Sequence, residues 1–314
     1  MSTLGRLVFL GAGAFGVPLL AQLADIADDL LVVAPPDRPA GRRLRNRASA
    51  VAAYSREHAL TLATPARLKS DEGRAAIRDF RPDGLLLASF GEIVPHDLLQ
   101  IAARPPLNVH PSLLPRHRGA APVAATILAG DAEAGVTLLV MTDRTDAGPI
   151  VAQWRVPLDG REESQQLERQ LADLAARHVP PALSAWADGS LSLTPQREED
   201  ATMIRPMTRA DGAIEWAAAA VEIDRQVRAL QPWPGAWTTL DGRRLHVRRA
   251  RPGPGVAGPA PGVLVPGNPP RVVCGVGTLI LETVQPGGRP VMAAEAWQRG
   301  LPRDHIRLGD SAPV

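Results

Sequence analysis

The sequence predicts an α/β chain: a parallel sheet covered by helices on both faces, followed by a small β-barrel. Three observations carry this. Short apolar runs alternate with helical patterns through residues 1–190. A polar, irregular stretch follows at 191–207. From 208 to 314, strand-like pieces are separated by Gly/Pro turns. A chain of 314 residues, 45% hydrophobic, suits two domains, with the polar stretch as linker.

Residues 7–10, 30–33, 84–88, 107–109 and 136–141 read as buried strands. Helical patterns fill 18–26, 49–58, 71–80 and 121–129, and a long helix over 164–187 closes the domain through Leu167, Leu171, Leu174 and Ala175. Beyond the linker, a short helix is expected at 220–230. Strands follow at 236–240, 244–247, 262–265, 271–274 and 278–283.

Residues 7–24 are uncharged, but Gly11, Gly13, Gly16 and Pro18 interrupt them. They read as strand, turn and helix start rather than a signal segment. No apolar run is long enough to span a membrane, and a cytoplasmic monomer is expected. The single cysteine, Cys274, excludes an internal disulfide and a cysteine metal site; it reads as a small core residue. No metal is expected.

Net charge is only +2, yet it is unevenly placed. Thirteen arginines face nine acids between Thr208 and Val314. A basic C-terminal part points weakly to a polyanionic partner. Gly11-Ala12-Gly13-Ala14-Phe15-Gly16 matches a dinucleotide-binding turn, but the acid expected at the end of the second strand is absent: Val33 precedes Ala34-Pro35-Pro36. A tight turn allowing close packing is the better reading.

The chemistry centres on Leu107-Asn108-Val109-His110-Pro111-Ser112-Leu113-Leu114-Pro115. Strand side chains alternate, so Asn108 and His110 share one side at the carboxyl edge of the sheet, where open α/β folds bind ligands. The strand over 136–141 leads to Asp146 and is expected to deliver a carboxylate to that edge. A carboxamide, an imidazole and a carboxylate suit acyl transfer to an amine. Asn108 donates to the developing oxyanion. His110 donates or shuttles a proton, and Asp146 orients His110 or a water.

The block Asn108 to Pro115, then Gly119-Ala120-Ala121-Pro122, then Asp146-Ala147-Gly148, resembles the folate-dependent formyltransferases. The resemblance implies a Rossmann-like catalytic domain, an OB-like barrel, and 10-formyltetrahydrofolate as co-substrate. It implies that Asn108, His110 and Asp146 are the catalytic trio. Ser112, Leu113, Leu114 and Pro115, with Phe90 and Ile93 in the Ser89-to-Pro95 segment, would contact folate.

Within the family, the resemblance is to members acting on initiator Met-tRNA. Pro36 to Arg42 is similar to the start of their basic loop, which here continues with Arg43, Arg45 and Arg47. Arg38, Arg42, Arg43, Arg45 and Arg47 would meet tRNA phosphates, as would Arg248 on a C-terminal strand. Gly212 to Trp216 and Leu230 to Trp237 resemble the opening of their C-terminal domain. Trp216, Trp233 and Trp237 are expected in the barrel core, with stacking on bases as the alternative. An amino sugar nucleotide is the alternative acceptor.

Overall fold

In the computed structural model, residues 4–40, 45–256, 259–302 and 306–309 are described. The chain forms two compact units. One comprises Met1–Pro122, Glu133–Pro157 and Leu167–Arg205; the other comprises Val123–Ala132, Leu158–Gln166 and Pro206–Val314.

Up to the long helix the chain runs β1 (Arg6–Gly11), α1 (Gly16–Ile26), β2 (Asp29–Val33), β3 (Arg38–Ala40), β4 (Arg45–Arg47), α2 (Ala50–Glu57), β5 (Thr61–Ala63), α3 (Asp71–Phe80), β6 (Gly84–Ala88), α4 (His96–Leu99), β7 (Leu107–His110), β8 (Arg118–Gly119), α5 (Pro122–Ala129), β9 (Glu133–Val140), β10 (Ile150–Pro157) and α6 (Ser164–Ala187). The main sheet has the order β10-β9-β7-β6-β1-β2-β5. Its five strands from β7 to β5 are parallel. Val8 and Leu10 pack in one cluster with Leu31, Val33, Leu85 and Ile77; Leu7 and Phe9, pointing the other way, are equally buried. Burial on both faces is why these strands read as continuous apolar runs.

Two strands at one edge differ from expectation. The strand predicted at 136–141 forms as β9 but runs antiparallel to β7, with Thr137 opposite His110 and Val140 opposite Leu107. An apolar run looks the same in either direction, so its pattern carries no orientation. The second, β10, pairs antiparallel with β9 and is half-exposed, so it lacks the apolar run that marks a buried strand. The predicted basic loop contains the hairpin β3–β4, with Arg38 opposite Arg47. Arg42 and Arg43 lie outside the described residues.

Gly11, Gly13 and Gly16 serve packing. A Cβ on Gly13 would overlap the Ser89 hydroxyl, and one on Gly11 the Phe9 ring. The turn's N–H groups, on Ala12 and Gly13, donate to the Ser89 carbonyl at 3.0 and 3.2 Å. A nucleotide-binding turn would aim such groups at phosphate.

After α6 come β11 (Met203–Ile204), α7 (Ala220–Ala229), β12 (Trp237–Leu240), β13 (Arg243–Gly253), β14 (Leu264–Val265), β15 (Arg271–Val273), β16 (Thr278–Pro286), β17 (Met292–Ala293) and α8 (Ala294–Gln298). The second unit holds an antiparallel sheet, β12-β13-β16-β15-β14, with β17 on β16. Its core includes Trp216, Ile223, Val227, Leu245, Val247, Leu281 and the buried Cys274. Burial pushes the Cys274 thiol up to about 11. The strand β13 is longer than the predicted 244–247; register shifts after Val247 and Arg249 break its alternation.

The tryptophans divide. Trp216 is core and donates to Thr238 Oγ1 at 3.0 Å. Trp237 is half-buried beneath the Arg244 guanidinium. Trp233 is 57% exposed, against expectation. It follows the apolar end of α7 in a proline-rich turn, where no periodicity marks a face.

Candidate active site

The strand β7 lies between β6 and β9, and all four of its residues are buried. Two of them are polar, so they need partners. Asn108 Nδ2 donates to Asp146 Oδ1 at 3.0 Å. His110 Nε2 lies 2.9 Å from the His117 carbonyl oxygen. A carbonyl only accepts, so Nε2 carries hydrogen. His110 Nδ1 is then the atom facing Asp146 Oδ2, 3.6 Å away.

Asp146 does not come from the tip of a parallel strand. It sits in the loop between the antiparallel β9 and β10. Its Oδ2 accepts the Gly119 N–H at 2.8 Å, and its side chain is 12% exposed. Its backbone is left-handed, with φ +50°. Ser89 and His117 are also left-handed, at φ +55° and +59°. Such conformations cost non-glycine residues of order 1–3 kcal/mol and persist only where surroundings enforce them. Here they cluster on the loops around Asn108 and His110.

The turn after β7 is built around Thr137 of β9. Its hydroxyl donates to the Ser112 carbonyl at 2.7 Å and accepts from Leu114 N at 3.2 Å and Gln153 Nε2 at 2.9 Å. Gln153 also donates to the Leu114 carbonyl at 2.7 Å. Ser112 Oγ donates to the Arg116 carbonyl at 2.8 Å. Ser112 and Leu114 are therefore buried supports of the turn, while Leu113 and Pro115 are part-exposed. Phe90 is half-buried against the sheet core. Ile93 is 84% exposed.

Sequence reasoning missed Gln196, whose amide bonds the Asp146 and Gly148 carbonyls at 2.8 and 2.7 Å. It lies in the segment read as linker, 50 residues from Asp146, and nothing local marks it. That segment is anchored: β11 pairs with β8, and Thr202 Oγ1 accepts the His117 N–H at 2.8 Å.

Arg38 and Arg47 are exposed on the hairpin. Arg45 takes part in the same hairpin ladder, opposite Ala40. Arg248 is half-buried; it donates to Gln285 Oε1 from Nε at 3.1 Å and Nη2 at 2.6 Å, and to Gln231 Oε1 at 3.1 Å. Neighbouring His246 is held below the usual imidazole range, by burial first and then by the Arg248 and Arg244 guanidiniums. Among the described residues, no cluster of His, Cys, Asp or Glu could hold a metal ion. No helix among them is long and apolar enough to cross a membrane.

A family model described as formyl transferase matches residues 5–183, and one described as formyl transferase, C-terminal domain, matches 206–302. The chain is 40% identical over 310 residues to methionyl-tRNA formyltransferase of Anaeromyxobacter dehalogenans (strain 2CP-1), covering 97% of this chain and 99% of that protein. It is 37% identical over 298 residues to a Thermus thermophilus protein of that name, covering 94% and 96%. Among solved structures, WlaRD, a sugar 3N-formyl transferase in the presence of dTDP and 5-N-formyl-THF, superposes with a TM-score of 0.68 at 14% identity, covering 91% of this chain and 99% of that one. HypX from Aquifex aeolicus, in complex with tetrahydrofolic acid, gives 0.63 at 17%, covering 96% and 50%. At these identities the structural likeness is one of fold. The two models and the end-to-end identity together make this chain a member of the formyl transferase family, aligned along nearly its whole length with methionyl-tRNA formyltransferases.

Proposed function

We propose that the protein transfers the formyl group of 10-formyltetrahydrofolate to the α-amino group of methionine on initiator Met-tRNA. The observation that carries this reading is the Asp146 carboxylate held between Asn108 Nδ2 and His110 Nδ1 at the edge of the sheet. The amine nitrogen bonds to the formyl carbon, whose C=O electron pair moves onto oxygen. Collapse breaks the bond to the folate nitrogen; the attacking amine loses a proton and the leaving nitrogen gains one.

Asn108 uses one Nδ2 hydrogen on Asp146, and the other is directed to the oxyanion. His110 Nδ1 is the atom that accepts or returns the travelling proton, with the Asp146 carboxylate beside it. On this reading the turn 112–115, with Phe90 and Ile93, forms the folate wall; Ser112 and Leu114 act by shaping it. Arg38, Arg42, Arg43, Arg45, Arg47 and Arg248 meet tRNA phosphates. Residues 1–190 form the catalytic domain, 191–207 the linker and 208–314 the tRNA-binding domain, in a cytoplasmic monomer. The test is to incubate the purified protein with 10-formyltetrahydrofolate and either Met-tRNA or an amino sugar nucleotide. Formylmethionyl-tRNA is the expected product; formylation of the sugar alone refutes the assignment.

A further inference from the structure

We infer that Gln196 is a positioning residue for formyl transfer: its carboxamide pins the turn that presents the Asp146 carboxylate. The inference rests on reading Asp146 as catalytic.

The orientation of the amide is dictated by its neighbours. Gln196 Nε2 donates to the carbonyls of Asp146 and Gly148, while Oε1 accepts from Arg118 Nε at 3.0 Å and Nη2 at 2.8 Å. Carbonyls only accept and a guanidinium only donates, so the reversed amide would break all four bonds. Both hydrogens and both lone pairs of the carboxamide are used. A side chain so fully committed, and only half-buried, is a bracket rather than a contact for substrate.

What it braces needs bracing. Asp146 is left-handed, and the turn closes tightly enough that a Cβ on Gly148 would overlap the Val140 carbonyl. The other end of the bracket is Arg118, 3% exposed and forked onto Glu198 at 3.1 and 3.2 Å. The next residue, Gly119, gives its N–H to Asp146 Oδ2. Gln196 thus joins the backbone of Asp146 to the strand that holds its carboxylate. Losing the bracket frees that carboxylate to shift relative to Asn108 and His110, and a displacement near 1 Å at reacting groups costs on the order of 100-fold.

The test is a double-mutant cycle on the full chain, read in steady state and single turnover with 10-formyltetrahydrofolate and Met-tRNA. Gln196→Met keeps the length and removes every bond; Gln196→Glu keeps the acceptor for Arg118 and removes the donors. Each is expected to lower kcat roughly 10- to 100-fold, with both KM values within about twofold of wild type. In an Asp146→Asn background, Gln196→Met should cost less than about twofold more, since groups acting as a unit are not additive. Wild-type kcat in whichever of the two variants folds, alongside an inactive Asp146→Asn, overturns the inference and leaves the catalytic reading standing. So does an equal loss in both backgrounds, which marks a merely structural role. Wild-type turnover by Asp146→Asn itself overturns both.

Discussion

His110 turns its Nε2–H to the His117 carbonyl and leaves Nδ1 facing Asp146, 3.6 Å from Oδ2. The neutral ring is therefore the Nε2–H tautomer, with its Nδ1 lone pair toward Asp146. Nitrogen-15 NMR of the neutral ring should show Nε2 protonated and Nδ1 bare; the opposite tautomer would remove the proton acceptor. His110→Ala should lower kcat about 10²–10⁴-fold, the usual contribution of a general acid–base group.

Asn108 is legible from the strand's alternation, and its role separates from His110 by charge. Asn108→Ala removes a donor from a developing oxyanion and should lower kcat on the order of 10²–10³-fold, as an oxyanion-hole deletion does. Asn108→Asp should be worse for folding. It sets a second carboxylate where the amide now meets Asp146 Oδ1 at 3.0 Å. Thermal melts would show a lower Tm for the aspartate variant than for the alanine variant at pH 7, with the gap closing as pH falls and one carboxyl takes a proton.

Arg38 and Arg47 face each other across the hairpin ladder. Like charges directly opposite on paired strands oppose folding, so their place has to be sought in binding. Replacing both with alanine should leave Tm unchanged or slightly raised. It should weaken tRNA binding and flatten its salt dependence by about two units of slope, about one per lost phosphate contact. Binding measured from low to high salt gives that slope directly; an unaltered slope removes these residues from the interface.

Arg248 is held by two glutamine oxygens and is set beside His246. Its planar fork reaches both amides together, which a lysine ammonium does not reproduce. Arg248→Lys should therefore lose tRNA affinity much as Arg248→Ala does. Because Arg248 is one of the groups holding the His246 imidazole low, Arg248→Ala should raise the His246 pKa in an NMR titration. Bound polyphosphate should raise it too, by supplying the opposite charge.

The sheet is readable wherever burial imposes a continuous apolar run, as at Leu7 to Leu10 and Gly84 to Ala88. Direction is not: β9 carries the same apolar pattern as its parallel neighbours yet runs the other way, and half-exposed β10 leaves no run at all. The two-residue period of a strand places Asn108 and His110 on one side. The approach of Asp146 departs from expectation, because it comes from a reverse loop between antiparallel strands. Gln196 and Arg118 are invisible in the sequence as site supports. Their bonds span 50 residues in one case and 78 in the other, and long-range hydrogen bonds leave no local periodicity.

A single carboxylate, Asp146, accepts from Asn108 Nδ2 and faces His110 Nδ1. Asp146→Asn keeps the side chain's size, but it carries no charge and offers one acceptor oxygen to two donors, Asn108 Nδ2 and the Gly119 N–H. Single-turnover formylation of Met-tRNA by this variant should be slowed about 100-fold or more, with the Tm somewhat lowered by the lost hydrogen bond. A rate within about twofold of wild type, given the size of effect such groups have, would contradict the account.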